Sequence, residues 1–126
     1  MVKQLINVDY YWRVLVYYNV TSTLLNHIKR DVKDESLPVG KIDYFLSSFI
    51  KLAKAITINI PAKRTSIVLF KPHKTVEDYI SSIVHEAEHV KDGILEYYNI
   101  PNRGEAPAYT IGYLVRVMFR VFKLLL

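Results

Sequence analysis

The sequence predicts an α+β fold in which a small antiparallel or mixed sheet of about three strands packs on about four helices. Three observations lead to it. Aromatic and β-branched residues alternate between Val8 and Tyr18, two short β-branched runs flank a turn with a proline, and apolar residues recur at helical spacing in four other segments. No linker, repeat or low-complexity tract divides the chain, so residues 1–126 are expected to form a single domain.

The elements follow in order. Val8, Tyr10, Trp12, Val14, Val16 and Tyr18 fall on one face of a strand. Thr21 and Ser22 can cap a helix with apolar positions Leu24, Leu25, Ile28 and Val32, ended by the breaker-rich Ser36-Leu37-Pro38-Val39-Gly40. Ile42, Phe45, Leu46, Phe49, Ile50 and Ala53 predict a second helix. AITINI (55–60) and TSIVLF (65–70) read as two strands around PAKR, with Pro61 at an edge. The alternative for Ala55–Ile60 is a continuation of the preceding helix. Thr75-Val76-Glu77-Asp78 resembles a capping box with Asp in place of Glu. It opens a long helix, 75–98, whose stripe is Val76, Tyr79, Ile80, Ile83, Val84, Ala87, Val90, Ile94 and Tyr98. Asn99 to Gly104 ends it. A last helix starts near Glu105, with Pro107 tolerated in its first turn.

Composition narrows the functional classes. With 51% hydrophobic and 23% charged residues the chain has a globular profile. It has no cysteine, which excludes disulfides, thiolate metal sites and cysteine nucleophiles, and fits a reducing cytoplasm. Any metal must be held by histidine, carboxylate and water. The N-terminal segment has neither the apolar core nor the cleavage site of a signal peptide. The apolar C-terminus carries Arg116, Arg120 and Lys123 on one face, the pattern of an amphipathic helix rather than a membrane span of about 20 residues. The net charge of +5 is spread in short clusters (Lys29-Arg30, Lys63-Arg64, Lys71 with Lys74), which favours a solvated basic surface over nucleic-acid binding.

The chemistry concentrates in Ile83-Val84-His85-Glu86-Ala87-Glu88-His89-Val90. Residues four apart on a helix differ by about 40° in direction and about 6 Å in rise, so His85 and His89 can converge on one ion. Glu86, turned by about 100°, is a poor ligand but can accept a proton from water at that ion, which is the physical content of an HExxH motif. The competing reading is the polar flank of a surface helix on which Glu88 and Lys91 also lie. Ile83, Val84 and Val90 set both histidines beside the buried stripe, where an unpartnered pair is costly to desolvate, and this favours a metal.

Zinc requires a third protein ligand and an open position. Asp92 shares the helix, and three ligands stacked along one straight helix do not converge; it suits a supporting role or simple exposure. Glu105, sixteen residues beyond His89, is the better candidate, against the alternative of an ordinary first-turn carboxylate favoured by the helix dipole. Tyr109, one turn beyond Glu105, and then Tyr113 are candidates to stabilise an oxyanion, with a core tyrosine as the alternative for each. Gly112 is expected to allow a close approach of neighbouring backbone. His27 reads as exposed, and His73, about three turns before His85, as no ligand.

HEAEH followed by GEAPAYTIGYL resembles the gluzincins, the HExxH-plus-Glu zinc peptidases, and more closely small uncharacterised zincin-like proteins of bacteriophages and their bacterial hosts. The matching positions are Glu105, Ala108, Tyr109, Gly112 and Tyr113, and the likeness covers roughly residues 65–120. Pro107 inside the second motif is a departure. The metzincin pattern is not met, because Asp92 and Leu95 stand where it has glycine and histidine.

The resemblance implies a minimal zincin-like domain with the active-site helix followed by a second C-terminal helix. It makes His85, His89 and Glu105 ligands of Zn2+, Glu86 the general base and a peptide or protein the substrate. It further implies that the strand near the metal, here Thr65–Phe70, pairs with extended substrate. The charges of Lys63 and Arg64 at the start of that strand are expected to favour acidic sequences. A phage-encoded chain of this kind would act in the host cytoplasm. Two other readings stay open: a zinc-binding interaction module without turnover, docking a protein partner or a second copy through its C-terminal helix, and a basic nucleic-acid-binding protein.

Overall fold

The computed structural model describes residues 2–8, 11–34 and 39–125, and the side chains of these except Val39 and Leu52. Tyr10, the Ser36-Leu37-Pro38 break and Leu126 lie outside the described residues.

Val2–Val8 (β1) and Trp12–Tyr18 (β2) pair antiparallel, with Val2 opposite Tyr18 and Val8 opposite Trp12. The alternation that predicted one strand from Val8 therefore straddles a reversal. Ile6, Val8, Trp12 and Val14 all join the same core, so a pattern of period two has no signal at a turn that keeps the same face inward. The sheet has four strands rather than three for this reason. A 3-10 turn at Ser22–Leu24 leads into Leu25–Asp34 (α1), and Val39–Leu52 (α2) follows. Leu25, Ile28 and Val32, with Ile42, Phe45, Leu46 and Phe49, pack against the sheet face bearing Tyr17, Ile60, Ile67 and Leu69. Ile50, expected inward, is exposed.

Ala55–Ile60 (β3) and Thr65–Phe70 (β4) are antiparallel neighbours across a turn in which Arg64 is left-handed, and β4 runs parallel to β2. The strand order is β1-β2-β4-β3. β4 is paired along both edges and all six of its residues are buried, the polar Thr65 and Ser66 with their hydroxyls bonded and Ile67–Phe70 as the apolar run of an interior strand. This corrects one expectation. β4 has no open edge for an extended substrate; β3 has one, since among the described residues it pairs with β4 alone.

Val76–Tyr98 (α3) and Glu105–Leu125 (α4) cover the other sheet face, burying Ile83, Ala87, Val90, Leu114, Met118 and Phe122 against Val14, Val16, Val68 and Phe70. Two helical layers thus enclose a mixed sheet. Thr75 caps α3, its Oγ1 accepting from the Asp78 amide at 3.1 Å. Asn99, left-handed at φ 55°, ends it. Lys91, read from the sequence as a surface residue, is buried. Its Nζ lies 2.8 Å from Glu88 and 2.6 Å from Asp92, and donates to Asn102 Oδ1 at 3.0 Å, which ties the α3–α4 loop to α3. Burial lowers the lysine's proton affinity, and the bonds and charges of Asp92 and Glu88 outweigh it, so the net shift is upward. No helix among the described residues is long and apolar enough to cross a membrane.

A polar chain joins the layers. Trp12 Nε1 donates to Ser66 Oγ at 2.9 Å, Ser66 Oγ to Asn59 Oδ1 at 2.6 Å, and Asn59 Nδ2 to the His89 carbonyl at 2.9 Å. Residue 93 is glycine where α3 crosses Asn59: a Cβ there would lie 2.5 Å from Asn59 Cγ and Nδ2, so the carboxamide would have to move and its bonds to Ser66 and the His89 carbonyl with it. Gly112, expected to serve a close approach, serves none, because a Cβ at that position would meet nothing within 4 Å.

Gly93→Ala should therefore destabilise the fold by about 1–3 kcal/mol despite alanine's better helix propensity. Gly112→Ala should be neutral or stabilising by up to about 1 kcal/mol. Urea denaturation of both variants checks the contrast, and equal effects would contradict the packing at Asn59.

Candidate metal centre

The long helix α3 lies across the β3 side of the sheet, and its middle turns present His85, Glu86 and His89 there. Both histidines are exposed at the solvent flank, as is Val84, so the desolvation cost expected of an unpartnered pair beside the buried stripe does not arise there. Their Nε2 atoms are 3.2 Å apart and their rings are nearly perpendicular, at 77°. This is a hydrogen bond, one ring donating to the other. The separation also suits a shared ion. Zinc–nitrogen bonds of about 2.0–2.1 Å at tetrahedral angles set two nitrogens roughly 3.3 Å apart. The two imidazoles are thus spaced as two of a zinc ion's four ligands would be, and the hydrogen bond between them accounts for the same distance.

Glu86, one residue on, turns inward and is only 3% exposed. Thr57 of β3 donates its hydroxyl to Glu86 Oε1 at 3.0 Å. Burial pushes the carboxyl's pKa above its ordinary value, while the Thr57 bond and the charges of His85 and His89 pull it partway back. A carboxyl so held binds a proton more readily than one in water, and the Thr57 bond fixes its orientation.

The structure brings these three residues together and leaves the other candidates apart. Glu105 is exposed on the first turn of α4. Among the described residues no three His, Cys, Asp or Glu side chains form a group able to hold an ion. Tyr109 is 74% exposed and lines two adjoining cavities, of about 800 and 370 Å3, between α4, the β1–β2 end of the sheet and the end of α3. Neither cavity includes His85, Glu86 or His89. Tyr113 lines the larger and donates to the Asn7 carbonyl at 3.3 Å. Asp92 accepts from Asn102 at 3.1 Å and pairs with Lys91, a supporting role in the loop. His27 is exposed. His73 stacks on Tyr79 and bridges the Lys71 carbonyl at 2.6 Å and Ser82 Oγ at 2.7 Å, which fastens the approach loop to α3.

Two residues of the site escaped the sequence reading. Thr57 holds Glu86, and Asn59 holds the backbone at His89. Their signal was present: AITINI sets its two polar residues at alternate positions, hence on one face of an otherwise apolar strand. What they would face depends on which helix crosses that strand. No family model, curated protein or solved structure matches the chain.

Thr57→Val removes the donor from a buried carboxyl and should cost about 1–3 kcal/mol at neutral pH. In a Glu86→Met background the same change should cost little, because nothing is left unpaired. A double-mutant cycle by urea denaturation measures the difference, and additive losses would mean that the two side chains do not interact.

Proposed function

We propose that this chain is a small gluzincin-like zinc metallopeptidase that hydrolyses peptide bonds, with His85 and His89 holding the ion and Glu86 acting as general base. One observation carries the reading: two imidazole nitrogens at zinc-ligand spacing beside a buried carboxylate whose proton affinity is raised. Glu105 is the third ligand that the family resemblance assigns. A zinc held there supplies Lewis-acid polarisation of water and of a peptide carbonyl.

The chain's own residues do the rest. Glu86 takes the proton from the attacking water and returns it to the departing amine, while Thr57 keeps its carboxylate aimed. The open edge of β3, next to this face of α3, aligns an extended substrate through backbone hydrogen bonds. Tyr109, a candidate oxyanion donor from its place one turn beyond Glu105, faces cavities that do not include the histidine pair, and the oxyanion is left to the metal. The absence of cysteine accords with action in the cytoplasm, the host's if the chain is phage-encoded.

A second reading, a zinc-holding interaction module without turnover, is favoured by the exposed Tyr109 and Tyr113 beside the larger cavity on α4, since such tyrosines serve protein contacts.

The purified wild type should carry about one zinc per chain by elemental analysis. His85→Ala and His89→Ala should lose it, and Glu86→Gln should keep it while hydrolysis of a mixed peptide library falls by about 10²–10⁴-fold. Glu105→Ala should lose zinc if that carboxylate is the third ligand. Stoichiometric zinc without cleavage selects the interaction module, and a wild type that takes up no zinc removes both readings.

A further inference from the structure

The outer side of β3 borders a second feature. A cavity of about 500 Å3 lies between α2 and β3, lined by Tyr44, Phe45 and Ser48 of the helix and by Ile56 and Ile58 of the strand, with exposed Lys41 also in its wall. Its volume falls in the roughly 300–1,000 Å3 range of ligand pockets. Thr57 also lines it, while its hydroxyl is bonded to Glu86 on the α3 side.

We propose that this cavity is a side-chain pocket for an apolar residue of an extended, acid-flanked peptide paired along β3. Strand geometry supplies the first argument. Successive side chains of β3 point to opposite faces: Thr57 and Asn59 reach α3, while Ile56 and Ile58 pack with the α1–α2 core. A peptide added to the open edge repeats that alternation, so every second side chain is directed to the α2 side, where the cavity stands. The occupant must be an extended chain because what β3 offers at that edge is a row of backbone donors and acceptors.

The chemistry of the walls supplies the second argument. Tyr44, Phe45, Ile56 and Ile58 give an apolar lining suited to an aromatic or long aliphatic side chain. Charge supplies the third. Lys41 at the cavity, Lys54 just before β3 and Lys63 just after it are all exposed, whereas the acidic Asp43 of the same helix turns to Lys29 at 3.6 Å. Lys41 at the cavity and the lysines beyond the two ends of β3 complement acidic residues on either side of the apolar anchor. Tyr44, at 78% exposure, is thus a specificity residue on a helix that takes no part in holding Glu86, whose carboxylate is bonded from β3.

The inference rests on the peptidase reading only for the claim that the bound peptide is a substrate, so binding is measured apart from turnover. Glu86→Gln protein, with or without bound zinc, is titrated with a fluorescein-labelled peptide, Asp-Ala-Phe-Ala-Ala-Asp, and with its analogue bearing Ala for Phe, by fluorescence anisotropy. The phenylalanine peptide should bind at least tenfold more tightly. Adding Ser48→Trp, which fills the cavity, or Tyr44→Ala, which opens a wall at an exposed position, should reduce that ratio below threefold. Circular dichroism verifies that each variant is folded, and Tyr44→Ala carries the test alone should Ser48→Trp not fold. Equal binding of the two peptides, or a ratio unchanged in folded Tyr44→Ala, overturns the pocket. A retained, pocket-dependent ratio in a protein whose wild type cleaves nothing supports the pocket and overturns the peptidase alone. Cleavage by wild type with no preference between the two peptides overturns the pocket alone.

Discussion

The close approach of α3 to β3 at Gly93 is the constraint on which the candidate site depends. Without a side chain at 93 the helix can settle onto Asn59, and Asn59 is itself anchored through Ser66 to the indole of Trp12. The hydrogen bond from Asn59 to the His89 carbonyl then sets the height and rotation of the helix where the two histidines stand. The polar atoms in this chain satisfy one another across three strands, and such a network holds geometry more sharply than apolar packing does.

That rotation separates the roles of neighbouring residues. A turn of about 100° per residue sends Glu86 into the layer between helix and sheet and leaves His85 and His89 at the solvent flank. A buried carboxylate is tolerable because Thr57 donates to it, and its raised proton affinity follows from the same burial. Burial thus raises the carboxyl's proton affinity and makes the Thr57 bond necessary at the same position, and perturbed acids of this kind often mark functional sites.

The sheet order separates an enclosed strand from an open one. β4, enclosed by β2 and β3 and covered by both helical layers, is structural throughout. β3, last in the order, holds Thr57 and Asn59 on one face, Ile56 and Ile58 on the other, and an open backbone edge between them. At the far side of α3, the buried Lys91 ties the α3–α4 loop through Asn102 and fixes where α4 begins. Glu105 and the exposed tyrosines of α4 follow from that start, apart from the histidine pair.

Much was legible from residues alone. Helical spacing marked α1 to α4, the Thr75 cap and the Asn99 end bounded α3, and the four-residue interval of His85 and His89 placed two imidazoles on adjacent turns. These are local properties, settled by periodicity and capping within a few residues. The reversal between Val8 and Trp12 was hidden because both strands turn the same face inward. The edge position of β3, the burial of Lys91, the close approach at Gly93 rather than Gly112, and the pairing of Thr57 with Glu86 belong to the tertiary structure alone. Each depends on which element crosses which, and contacts between residues so distant along the chain leave no periodic trace in it.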